Sequence, residues 1–154
     1  MGSTESPLNL VRGPAKKPGW AQLVRLGGDR VAILFDELRK QVGRIDGVVE
    51  RLHYSAADRR WVVQYQVGGD DLFTARILPG LLEASMPLSA QETGALLGAR
   101  NLSGAIRETL RGCASKAGSG SIRLTLKDRR TVRSFANLLR AKNRLVLNAR
   151  RDHS

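Results

Sequence analysis

Apolar residues change their spacing several times along this chain, and the changes mark off helical from extended stretches. Residues 1–17 show no period and are rich in Ser, Pro and Gly, with a Lys16-Lys17 pair near the end, which predicts a disordered tail. Order is expected from Pro18, which suits the first turn of a short helix carrying Trp20, Leu23 and Leu26. Gly27-Gly28 interrupts that helix, and Asp29 is the expected N-cap of a second one. There Val31, Leu34, Phe35, Leu38 and Val42 recur at steps of three and four, giving one apolar stripe that ends at Gly43 or Gly47.

The period then shortens to two. Trp61, Val63, Tyr65 and Val67 alternate with Val62, Gln64 and Gln66, the pattern of a strand with one face on a core. Residues 68–71, Gly-Gly-Asp-Asp, predict a turn into a return strand over 72–78. A preceding strand is expected over 48–54, with Ala56-Ala57-Asp58 turning the chain, and a fourth over 81–87 after Pro79-Gly80.

Helical spacing returns at Ser89, where Ser-Ala-Gln-Glu reads as a capping box for a helix to about Leu97. Leu102, Ile106, Leu110 and Cys113 follow at helical spacing, so residues 103–113 form a further amphipathic helix with Cys113 as a small buried hydrophobe. A glycine- and serine-rich loop over 112–121 leads to a last strand over 122–126. Asp128 then caps a final helix whose Val132, Phe135, Ala136 and Leu139 face the core. Helices, then strands, then helix-strand-helix predict an α+β fold: an antiparallel sheet of about four or five strands with helices packed mainly on one face. The expected organisation is one domain over 18–147 and a basic C-terminal tail over 148–154.

Charge changes the picture in one region. Residues 100–154 hold fourteen Lys or Arg against three acids, a net +11, whereas the first ninety-nine hold twelve bases and eleven acids, a net +1. Such an imbalance predicts a surface that attracts polyanions. On the final helix Arg130, Arg133, Arg140 and Arg144 step by three, seven and four, so they share a stripe beside the apolar one. Lys127 and Arg129 flank the stripe, and Arg150-Arg151 extend it. Arginine's planar fork suits phosphate, but aromatics make up only 5% of the chain, which argues against a base-stacking platform. The alternative is a solvated basic face that serves solubility.

The usual catalytic sets are missing. The lone cysteine excludes a disulfide framework and a cysteine metal cage, and two histidines in no metal-binding spacing lead to no expected metal or cofactor. No serine sits in a nucleophile-elbow pattern. Asp36-Glu37 point about 100° apart on a helix, and Asp70-Asp71 read as turn chemistry. In the 112–121 loop Lys116 precedes the later glycines and the order runs from helix to strand, the reverse of a Walker loop, so the segment reads as a connector. The start Met1-Gly2-Ser3-Thr4-Glu5-Ser6 fits a short, degenerate acylation pattern and is read as an ordinary N-terminus. No secretory h-region and no run of about 20 apolar residues occurs, so a cytoplasmic protein without membrane insertion is expected.

Several segments together resemble a family of small bacterial α+β proteins, domain-of-unknown-function family 3788, loosely akin to the YdhG- and YjbR-like group. They are the N-terminal helical pair, Arg60-Trp61-Val62-Val63-Gln64-Tyr65 before a glycine turn, Leu72-Phe73 leading to Leu78-Pro79, Ile122-Arg123-Leu124-Thr125-Leu126 with Asp128, and Leu138-Leu139-Arg140-Ala141-Lys142. The resemblance implies the same fold and transfers no catalytic residue. The leading expectation is a non-enzymatic binding or accessory domain that meets nucleic acid or an acidic protein through Lys127, Arg129, Arg130, Arg133, Arg140 and Arg144. The rival is a small-molecule-binding domain or enzyme with a groove near His53, Tyr54, Trp61 and Tyr65.

Overall fold

A computed structural model describes residues 18–100, 102–115 and 120–152, with only the backbone described for 113–115 and 149–152. The expected N-terminal tail, Lys116, the side chain of Cys113 and those of Arg150-Arg151 lie outside the described residues. Among those described, two helices come first, α1 (Trp20–Arg25) and α2 (Asp29–Val42). Four strands follow: β1 (Val48–Ser55), β2 (Arg60–Val67), β3 (Asp70–Leu78) and β4 (Leu81–Leu88). Then come α3 (Ala90–Leu97), α4 (Gly104–Ser115), β5 (Gly120–Thr125) and the long α5 (Arg129–Asp152). The strands form one antiparallel sheet in sequence order, an α+β architecture as the periodicities predict.

Period-two alternation decides the two faces of the sheet. Val63, Tyr65, Phe73, Ala75, Ile77, Leu82, Ala84, Met86 and Ile122 are buried against the helices. Phe73 carries the packing between layers: it stacks on Tyr65 at 4.4 Å and meets the edge of Phe135 of α5 at 5.0 Å. Among the described residues the opposite face bears no helix but is laced by polar bonds. Arg76 reaches Asp58 at 2.8 Å and Ser85 Oγ at 2.6 Å, and Gln64 and Gln66 both donate to Asp71.

Local details depart from the expectations in ways with clear causes. Gly28, at φ 88°, is the N-cap of α2, and Asp29 is its first helical residue, where a carboxylate favours the helix dipole. The β2–β3 turn is only Gly68-Gly69, both at positive φ, so Asp70 and Asp71 begin the strand and pair with Val67 and Gln66. The capping box forms as expected: Ser89 Oγ accepts from the Glu92 amide at 3.1 Å and Glu92 accepts from the Ser89 amide at 2.9 Å. The expected tail from residue 148 is helical to Asp152, because Leu145-Val146-Leu147-Asn148-Ala149-Arg150-Arg151 contains neither glycine nor proline to stop the helix. Among the described residues no helix is long and apolar enough to cross a membrane.

Candidate polyanion interface

The basic face rests on how α5 is fixed. Its start is set by Asp128, whose carboxylate accepts from the backbone amide and hydroxyl of Thr131 at 2.7 Å each. Those bonds hold the Asp128 carboxyl below its ordinary range. One flank carries the buried Val132, Phe135, Ala136 and Leu139, with Leu138 and Ala141 joining them. Midway, Lys142 is buried at 4% exposure, donating to the Pro87 carbonyl at 2.7 Å and pairing with Glu92 at 2.8 Å. That buried ammonium ties α5 to the end of β4 and to α3. Burial pushes the Glu92 carboxyl upward, but Lys142 and the Ser89 amide and hydroxyl outweigh it and hold it low.

Along its other flank α5 runs beside α2 in the same direction, since their pairings ascend together. Arg30 donates to the Lys127 carbonyl, Arg133 stands 3.6 Å from Glu37, and Arg140 donates to Gln41 at 2.8 Å. The predicted stripe therefore has three parts. Lys127, Arg129 and Arg130 are exposed around the helix start. Arg133 is exposed but paired with Glu37, so its charge is partly offset. Arg140 and Arg144 lie farther along, where α5 passes the turn that follows α2.

At that point the structure brings together residues that periodicity could not connect. A cavity of about 520 Å³ is lined by Arg44, Asp46, Asn137, Arg140, Asn143 and Arg144. Ile45 and Leu147 supply its apolar walls. Arg44 and Arg144 are exposed and make no ion pair among the described residues, so three guanidiniums share the cavity with one carboxylate. Arg140 is held in place: it donates to Asn137 at 2.9 Å and to Gln41, which itself donates to Glu37 at 3.4 Å. Gln41 is a polar side chain left only 8% exposed on a helix whose other buried positions are apolar. A second cavity of about 450 Å³ on the α3–α4 side shares Asn137 and Arg144 and adds Arg100. Arg144 thus stands on a ridge between two basic hollows.

The four residues of the rival groove do not share one face, although Tyr65 lines a cavity of about 380 Å³ with Glu50 and Arg39. His53 is exposed on the open face of β1, while Tyr54, Trp61 and Tyr65 project from the other face. Tyr54 and Trp61 meet edge to face at 5.7 Å, and Tyr65, 1% exposed, is part of the core. A carboxylate does stand beside Tyr65, but it is already bound by three donors. Glu50 accepts from the Tyr65 hydroxyl at 2.7 Å and from two Arg39 nitrogens at 3.0 and 2.9 Å, while Trp20 covers that guanidinium at 5.2 Å. Burial, then the bond to Glu50, pushes the Tyr65 phenol up; the same carboxylate raises Arg39. A protonated phenol bound to an ion-paired carboxylate is a staple between β1, β2 and α2. Among the described residues no group of three or more His, Cys, Asp or Glu is placed to hold a metal.

Sequence reasoning missed Arg44, Asp46, Asn143 and Gln41. The signal in reach was the run Arg44-Ile45-Asp46 directly after a helix end, which taken alone reads as ordinary C-terminal dipole chemistry. Comparison with family models, curated proteins and solved structures finds no match.

Proposed function

We propose that this chain is a non-enzymatic binding or accessory domain of the cytoplasm that engages a polyanion, nucleic acid in first place, through the C-terminal half of α5. One observation carries the reading: Arg44, Arg140 and Arg144 line one open cavity against a single carboxylate, Asp46. Like charges gathered around a hollow repel one another, and an anion relieves that repulsion while accepting their hydrogen bonds. The charge distribution points the same way, with nearly all of the net +12 in the last third of the chain. Lys127, Arg129 and Arg130 extend the field toward the helix start, and Arg133 contributes less because Glu37 stands beside it.

With charge but few stacking groups on offer, binding is largely sequence-independent and similar for duplex and single strand. The test titrates labelled duplex DNA and single-stranded RNA at low salt with wild type and with a variant bearing Arg130→Gln, Arg133→Gln, Arg140→Gln and Arg144→Gln. Binding that weakens at least tenfold in the variant, with an unchanged circular dichroism spectrum, is the expected result. Absence of binding by wild type, or indifference to the four substitutions, overturns it and leaves an acidic protein as the occupant of the surface.

A further inference from the structure

We propose that the cavity between α5 and the Arg44–Asp46 turn is a seat for a terminal phosphate, a phosphomonoester dianion. This inference rests on the polyanion reading of the same face and names the group recognised there. An internal phosphodiester carries one charge and two chain continuations, so it suits an open ridge such as the one Arg144 forms between the two hollows. A monoester carries close to two charges and three free oxygens on a single stalk. It therefore suits a concave site with several guanidiniums, each able to donate in the plane of a fork.

The site is also prepared for its ligand. Arg140 is fixed by Asn137 and by Gln41, which is anchored in turn on Glu37. Burying an amide to orient one guanidinium makes sense when that guanidinium must meet an anion in a set direction. Gln41 is a positioning residue, acting through Arg140. Asn143 lines the same cavity, and its Oδ1 atom is buried with no hydrogen-bond partner among the described residues. At about 520 Å³, with Ile45 and Leu147 as apolar walls, the cavity is large enough for a nucleotide rather than for phosphate alone. The monoester can come from the end of a nucleic acid strand or from a free nucleotide.

The experiment compares 5′-phosphorylated and 5′-hydroxyl single strands of one sequence on the full chain, with adenosine monophosphate as a separately titrated ligand. Variants are Arg144→Gln, Gln41→Leu and, as a distant control on the open face of the sheet, Arg51→Gln. The expected result is roughly tenfold tighter binding of the phosphorylated strand, the size set by two or more charge-assisted hydrogen bonds. That preference disappears in Arg144→Gln and Gln41→Leu and persists in Arg51→Gln. Thermal unfolding of Gln41→Leu, expected within a few degrees of wild type, separates lost positioning from lost folding. Equal, salt-sensitive binding of both strands overturns the seat and leaves the polyanion reading standing. Binding of adenosine monophosphate with no binding of either strand keeps the seat, assigns it to a free nucleotide and overturns the polyanion reading. Failure of all three ligands overturns both.

Discussion

Replacing Phe135 with alanine tests the packing on which the interface depends. Phe135 is 0% exposed, meets Phe73 edge to face at 5.0 Å, and anchors α5 over the middle of the sheet. Truncation removes a whole buried ring and leaves a cavity, which costs about 3–5 kcal/mol, of which the aromatic pair accounts for roughly 0.5–1.5. For a domain of this length that lowers Tm by on the order of 10 °C. Two residues earlier, Arg133 is exposed and only 3.6 Å from Glu37, so Arg133→Ala should change stability by less than about 0.5 kcal/mol. The assay is urea unfolding followed by circular dichroism, with the slope against denaturant checked for constancy between variants. Equal losses at the two sites would show that α5 does not dock through the Phe135 flank, and the arginine face described here would point elsewhere.

Two further perturbations test the supports of that helix and sheet. Glu92→Gln withdraws the carboxylate from buried Lys142 and should cost about 1–3 kcal/mol at neutral pH. Because the Glu92 carboxyl is held low in the folded chain, its contribution is complete above the ordinary carboxylate range and vanishes as pH falls through the folded value. The gap between wild type and variant should therefore narrow as pH falls below the ordinary carboxylate range in paired urea titrations, and a gap that widens in acid refutes the pairing. Gly27→Ala would set a methyl 2.3 Å from Val31 Cγ1 and 3.1 Å from Ile77 Cγ2, so a loss of about 1–3 kcal/mol by thermal melting is expected. An unchanged melt would mean that the link between α1 and α2 does not press on Val31 and Ile77.

Much of the fold was legible in the residues because its signals are local. Period two over Trp61, Val63, Tyr65 and Val67, and the Ser89–Glu92 box, each specify structure through neighbours a few positions away. What escaped depends on long-range contact. Gln41 and Arg140 are 99 residues apart, and only the parallel course of α2 and α5 makes them partners. Arg133 reads as a free charge until Glu37 arrives opposite it, and Lys142 reads as one more surface base until α3 and β4 bury it. His53 and Tyr65 looked close enough to share a groove, yet their parity along paired strands puts them on opposite faces. The stripe on α5 was visible in outline; the cavity that gives one end of it a distinct character was not.

Whether the cavity arginines meet phosphate is decided by the salt dependence of nucleic-acid binding in wild type and in a variant with Arg44→Gln, Arg140→Gln and Arg144→Gln. Each phosphate contact on duplex DNA contributes about −0.9 to the slope of log affinity against log salt. If the three arginines lining the cavity carry the contacts, the variant's slope should be shallower by about 0.9 for each phosphate they hold between them, at least one, while its unfolding curve stays in place. A slope unchanged by the three substitutions would rule out a role for the cavity, because binding would then run through some other part of the molecule.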